Sequence, residues 1–205
     1  MTNPPAHSDQ NSAITIVSGL PRSGTSLMMQ MLSAGGLAPL VDEQRAADES
    51  NPRGYFEFEP VKGLRTDRDW LGQAQGRVVK IIHLLLRELP TDGRYNYHVI
   101  LMKRPMEEIL SSQRAMLERQ GKQSADAAML EKIFRDQLQQ AEEWLRSHSC
   151  FRFLPMEYHR VLDSPDGAAR EIDAFLGGKM DIAAMGRAVD PALYRQRATS
   201  GSDKN

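Results

Sequence analysis

A chain of 205 residues is long enough for one substantial domain and short for two. Hydrophobic residues make up 40% and charged residues 26%, an ordinary globular balance, and the formal net charge of −1 excludes a global electrostatic footprint for nucleic acid or an acidic membrane. Any anion binding must therefore be local. The single cysteine, Cys150, excludes an internal disulfide framework and suits a reducing, cytoplasmic setting.

Residues 1–12 are polar and proline-rich and read as a disordered tail without the apolar stretch of a signal peptide. The run Ile14, Ile16, Val17 predicts a first strand ending at Gly19. A turn follows, and from Thr25 the spacing of Leu27, Met28, Met31 and Leu32 predicts a helix that Gly35, Gly36 and Pro39 stop. Residues 42–60 are polar and turn-rich, too long for a simple connection, and read as a functional loop or lid. A second strand is expected at 77–82 and a short apolar helix at 84–89, ending at Pro90. The third strand, 98–102, runs into Lys103-Arg104-Pro105, where Pro105 at the first helical position opens a helix to Gly121. Residues 125–148 form a long amphipathic helix with a core-facing stripe through Met129, Ile133, Leu138, Ala141, Trp144 and Leu145. A fourth strand at 150–156 leads to Tyr158, and a final helix at 168–176 stops at Gly177-Gly178. No run approaches the roughly 20 apolar residues of a membrane span. Strands alternating with helices predict an α/β fold, a parallel sheet covered on both faces.

The first turn carries most of the chemistry. Backbone N–H groups of Arg22, Ser23, Gly24, Thr25 and Ser26, curled at a helix N-terminus, make an anion pocket, and Gly24 permits close backbone approach. The spacing Gly19-x4-Gly24 matches the opening of a nucleoside-triphosphate loop, but Thr25 stands where that motif has its lysine. That weighs against ordinary phosphoryl transfer. The loop's cation sits instead at Arg22. A second constellation is Arg104 at the end of a strand with Ser112 eight residues on. An arginine there lies on the ligand rim of a parallel sheet and can grip a phosphate bidentately, with the serine adding a hydroxyl.

Pro21-Arg22-Ser23-Gly24-Thr25-Ser26 resembles the 5′-phosphosulfate loop of sulfotransferases, and the segment 98–113 resembles their 3′-phosphate-binding segment. The stretch from Phe151 through Tyr158 to Gly177 looks like the family's strand and Tyr-Glu-Asp-Leu segment, with Tyr158 matching the tyrosine near the adenine. His159 and Arg160 stand where the family has Glu and Asp, so no role of those acids carries over. The resemblance spans roughly residues 13–195. It implies a P-loop-type three-layer α/β/α domain over 13–197, followed by a flexible tail at 198–205. It also implies 3′-phosphoadenosine 5′-phosphosulfate as co-substrate, no metal, and sulfuryl transfer to a hydroxyl or amine of a small-molecule or biopolymer acceptor.

On that reading Arg22 stabilises the leaving phosphate, while Ser23, Gly24, Thr25 and Ser26 hold it. Arg104 and Ser112 bind the 3′-phosphate, and Arg195, in the basic end of the chain, closes over it. For the general base, Glu57 and Glu59, in the loop after Asn51-Pro52-Arg53, are well placed if that loop covers the sheet edge, and Glu57 is favoured over His83, which follows Lys80 in a pattern like the family's Lys-x-His with one residue too many. Lys80 reads either as an assistant to Arg22 or as a solvated strand end. Two rival readings stay open. One is an ATP-dependent small-molecule kinase, with Ser26 at the magnesium position; the other is a non-catalytic nucleotide-binding module.

Overall fold

In the computed structural model of the chain, residues 13–42, 54–121 and 126–190 are described. Four runs rich in β-branched and aromatic residues form strands β1 (Ile14–Gly19), β2 (Val78–Lys80), β3 (Tyr97–Lys103) and β4 (Phe151–Glu157). They pair in parallel throughout, in the order β2-β1-β3-β4. The helices are α1 (Thr25–Ala34), α2 (Met106–Arg119), α3 (Ala127–Ser147), α4 (Tyr158–Asp163), α5 (Pro165–Leu176) and α6 (Ile182–Arg187).

The alternation of side chains along each strand sorts the core into two layers. Ile14, Ile16, Val79, Tyr97 and Val99 face Ala141 and Leu145 of α3, together with Val61, Leu64, Trp70 and Leu71. Val17, Val78, Ile100, Met102 and Met156 face Met28 and Leu32 of α1, Val161 of α4, Ile172 of α5 and Met185 of α6. A smaller cluster of Leu20, Met106, Ile109 and Phe134 packs α2 and α3 against the start of the loop between β1 and α1. The expected α/β fold, with a parallel sheet covered on both faces, is the fold observed.

Several boundaries differ from the sequence reading, each for a local reason. Pro105 caps α2 from outside, at ψ 132°, so the helix begins at Met106. The second strand is only three residues long, and the apolar run after it winds as a 3-10 segment at His83–Glu88. The helix expected to begin at 168 starts at Pro165, which occupies the favoured first position; Gly167 in that turn disguised the start. It is not the last helix either. Six-residue α6 follows, capped by Asp181, whose Oδ1 accepts from the Ala184 amide at 2.8 Å. Residues 59–74, for which no element was expected, contain two 3-10 segments at Glu59–Gly63 and Asp69–Ala74. Phe58 and Trp70 meet edge to face there, ring centroids 5.5 Å apart.

Because every strand runs the same way, Gly19, Lys80, Lys103 and Glu157 end on one rim. That rim is where a doubly covered parallel sheet presents its ligand side.

Candidate functional site

Between β1 and α1 the chain makes a tight loop with a glycine at either end. A Cβ on Gly19 would sit 2.5 Å from Ser23 Oγ and 2.8 Å from the Met102 carbonyl oxygen. Gly24 adopts φ +98° as the N-cap of α1, and any side chain there would run into the Tyr158 ring. Arg22 holds φ +70°, a conformation unusual for a residue with a Cβ. As its N-cap residue, Gly24 gives the first turn of α1 no side-chain cap. Ser23 is fully buried, and its Oγ has no hydrogen-bond partner among the described residues. An unsatisfied buried hydroxyl beside uncapped helix amides is the arrangement an oxyanion completes.

Arg22, Arg104 and Ser112 are brought together at this loop. Arg22 Nε donates to Ser112 Oγ at 2.9 Å, and Arg104 Nη1 donates to the Arg22 carbonyl at 3.1 Å. The left-handed turn at Arg22 is thus tied to the end of β3, while Ser112 reaches it from α2, where the side chain is buried. Arg104 Nε donates to Glu108 Oε2 at 2.7 Å, and its guanidinium lies 4.6 Å from the centroid of the Tyr158 ring. Burial pushes the Tyr158 hydroxyl above its usual range, while the charges of Arg104 and Arg22 work against that shift.

At the β2 end of the rim, Lys80 is no solvated strand end. Its Nζ donates to Ser26 Oγ at 3.2 Å and also to the Tyr55 carbonyl. The segment carrying Glu57 is therefore tethered to α1 through Lys80. The Glu57 carbonyl accepts from the Asp42 amide at 3.1 Å, which fixes that residue's backbone. Glu59 is an exposed partner of Lys62 at 2.6 Å.

His83 is sequestered, with 4% of its surface exposed. Its Nδ1 lies 3.1 Å from the Gly19 carbonyl, and Nε2 lies 3.0 Å from the side-chain amide of Gln137 on α3. A carbonyl can only accept, so Nδ1 carries the hydrogen and Nε2 faces an amide that can turn to donate. The imidazole braces the loop against α3.

The sequence reading did not single out Glu108. Its spacing from Arg104 is that of a helical ion pair, the one signal that pointed to it. His159, noticed only as a departure from a pattern, lies against Glu108, and Gln137 carried no signal at all. Arg195, the tails at 1–12 and 198–205, and most of the polar 42–60 loop lie outside the described residues. Among the described residues no group of three His, Cys, Asp or Glu is arranged to hold a metal ion, and no helix is long and apolar enough to cross a membrane.

No protein-family model matches the sequence, and no curated protein matches it either. Solved structures do. The sulfotransferase domain from the Synechococcus PCC 7002 olefin synthase superposes with a TM-score of 0.55 at 17% identity, covering 88% of this chain and 85% of that one. The sulfotransferase domain from the curacin biosynthetic pathway gives 0.53 at 11% identity, covering 87% and 78%. The chain has the α/β fold of these sulfotransferase domains.

Proposed function

We propose that this protein is a sulfotransferase using 3′-phosphoadenosine 5′-phosphosulfate, with a hydroxyl or amine of a small molecule or biopolymer as acceptor. The observation that carries the reading is the convergence of Arg22, Arg104 and Ser112 at an uncapped helix N-terminus on the ligand rim. The residues fit such a donor: the orphaned Ser23 hydroxyl, the glycine-lined loop and Arg22 suit the 5′-phosphate, and Arg104 with the buried Ser112 suits the 3′-phosphate. The donor supplies the sulfuryl group and a phosphate leaving group.

The chain's own groups divide the remaining work. The loop amides with Thr25 and Ser26 hold the 5′-phosphate. Arg22 meets the negative charge that grows on its leaving oxygen, an interaction strongest in the transition state. Lys80, anchored on Ser26, adds a second cation on that side. Arg104 and Ser112 bind the 3′-phosphate, and Tyr158 lines the nucleotide side beside Gly24. Glu57 takes the acceptor's proton. Its tether through Tyr55 and Lys80 favours it over His83, whose ring nitrogens are both engaged in bracing the loop.

The Lys80 ammonium also counts against the kinase reading. It occupies the hydroxyl that a triphosphate user places on magnesium, and one cation there disfavours another. The test is label transfer. The protein is incubated with a metabolite pool and either radiolabelled 3′-phosphoadenosine 5′-phosphosulfate or ATP-magnesium labelled on the terminal phosphate. Labelled product is expected from the first donor alone; product from ATP alone would overturn the proposal.

A further inference from the structure

Large apolar side chains scattered singly over a surface need no explanation, so their distribution is what informs. Among the described residues four stand in solvent: Ile82 at 45% exposure, Leu84 at 37%, Met129 at 64% and Ile133 at 37%. All four fall on two elements that touch. Ile82 and Leu84 flank the buried His83 at the start of the 3-10 segment after β2, and Met129 and Ile133 lie in the first two turns of α3. The elements are joined by the His83–Gln137 contact at 3.0 Å and by Arg87 Nη2, which donates to Gln140 Oε1 at 3.2 Å.

The fold puts this strip at the ligand rim. α3 delivers the chain to the start of β4, so it descends from the rim and its N-terminal turns stand nearest the site. His83 fixes the level, because its Nδ1 donates to the carbonyl of Gly19, where β1 ends. Ile133 and Met129 precede Gln137 on the same face of α3, roughly 6 and 12 Å further out along the helix. Ile82 follows closely on Lys80, the last residue of β2. The sequence pattern put Met129 and Ile133 in the core-facing stripe. The core work at this end of α3 falls instead to Leu130, Phe134 and Leu138, which pack around Leu20, Met106 and Ile109.

We infer that Ile82, Leu84, Ile133 and Met129 form an apolar wall of the acceptor site, and that the acceptor carries an apolar body behind its reacting hydroxyl or amine. The inference rests on the sulfotransferase reading, which puts the acceptor beside Lys80 and Glu57. The body lies along the strip while the nucleophilic atom points inward to the loop between β1 and α1. A sugar would leave the strip wet and gain nothing from it. A second copy of the chain is the rival occupant of such a strip. Stable interfaces take about 20–30 residues a side, and these four fall far below that, whereas they suit the body of one small molecule.

The test is calorimetry on the full chain saturated with adenosine 3′,5′-bisphosphate, with ethyl, butyl and hexyl sulfate as probes. Each is a sulfate ester of the product class, so its head takes the place of the transferred group and its tail reads the wall. Burying a methylene tightens binding about fourfold when complete and about twofold on a half-open wall, so hexyl sulfate should bind roughly tenfold or more tighter than ethyl sulfate. Ile82→Asn and Ile133→Asn should each shrink that ratio by about threefold or more. Their positions on separate elements keep the test open should one variant fold poorly, and bisphosphate binding in the same titrations reports which variants are folded. Equal or undetectable binding of the three esters, with bisphosphate bound, would overturn the inference and leave the sulfotransferase reading standing. An unchanged ratio in both variants would also overturn it, since the tail would then lie elsewhere. Sedimentation as a dimer that Ile133→Asn dissociates would give the strip to a second copy and overturn it likewise. Absence of bisphosphate binding in the unaltered protein would overturn both readings.

Discussion

The β1–α1 loop with the first turn of α1 and the segment 54–76 meet at Lys80, which bonds Ser26 in one and Tyr55 in the other, yet they are built on opposite principles. In the loop, backbone geometry makes the site. Gly19 and Gly24 admit no side chain, Arg22 takes a left-handed turn, and amides and hydroxyls point where an anion would sit. In the segment 54–76, side-chain burial makes the structure. Val61, Leu64, Trp70 and Leu71 are drawn under the sheet, and the backbone follows as short 3-10 segments with no regular period.

If that contrast is right, damage on the two sides should read out differently. The largest effect belongs to the loop. Arg22→Ala should lower turnover at saturating donor by about 10²–10³, or roughly 3–4 kcal/mol, with a much smaller loss of donor affinity. An affinity loss with turnover intact would make Arg22 an anchor only. Next comes Glu57→Gln, which should reduce turnover by about 10² and leave the donor's calorimetric affinity unchanged, since a base touches the acceptor side. His83→Ala with the greater turnover loss would transfer the base to His83. Third, Gly24→Ala should cost about 1–3 kcal/mol in urea denaturation and also abolish bisphosphate binding, because φ +98° and the Tyr158 ring both oppose a side chain. Stability unchanged in that variant would show the loop to be plastic.

The smallest effect lies away from the rim. His98 is buried on β3, where burial and then the charge of Arg152 push its imidazole below the ordinary value. A folded-state value below the unfolded one means stability is complete above the unfolded value and declines as pH falls beneath about 6.5. Urea denaturation between pH ~7 and pH ~5 should show that decline, and His98→Gln should flatten it. An identical slope in the variant would assign the decline to other groups.

The same contrast explains what the sequence disclosed. β1, the loop and α1 were legible because two glycines at fixed spacing, an arginine and a helical apolar pattern each have one structural meaning. Arg104 and Ser112 were legible as a strand end and a helix position, and they do meet Arg22. Their partners were not. Glu108 and His159 touch across 51 positions of sequence, and His83 reaches Gln137 across 54, contacts that exist only once α2, α3 and α4 have docked. The 3-10 segments escaped notice because runs of five or six residues show no helical period. α4 was hidden because it starts at the residue after β4 ends, leaving no turn residues to mark the change.

The central claim is that this rim receives a nucleotide bearing both a 5′- and a 3′-phosphate, and thermal unfolding with bound ligand tests it most directly. Adenosine 3′,5′-bisphosphate at about 100 times its dissociation constant should stabilise the protein by roughly 2.7 kcal/mol. ADP at the same concentration should give clearly less, and Arg104→Ala should erase the difference, a loss of about 1.5–3 kcal/mol for a charge-assisted hydrogen bond. Equal stabilisation by the two nucleotides in the unaltered protein would contradict the account.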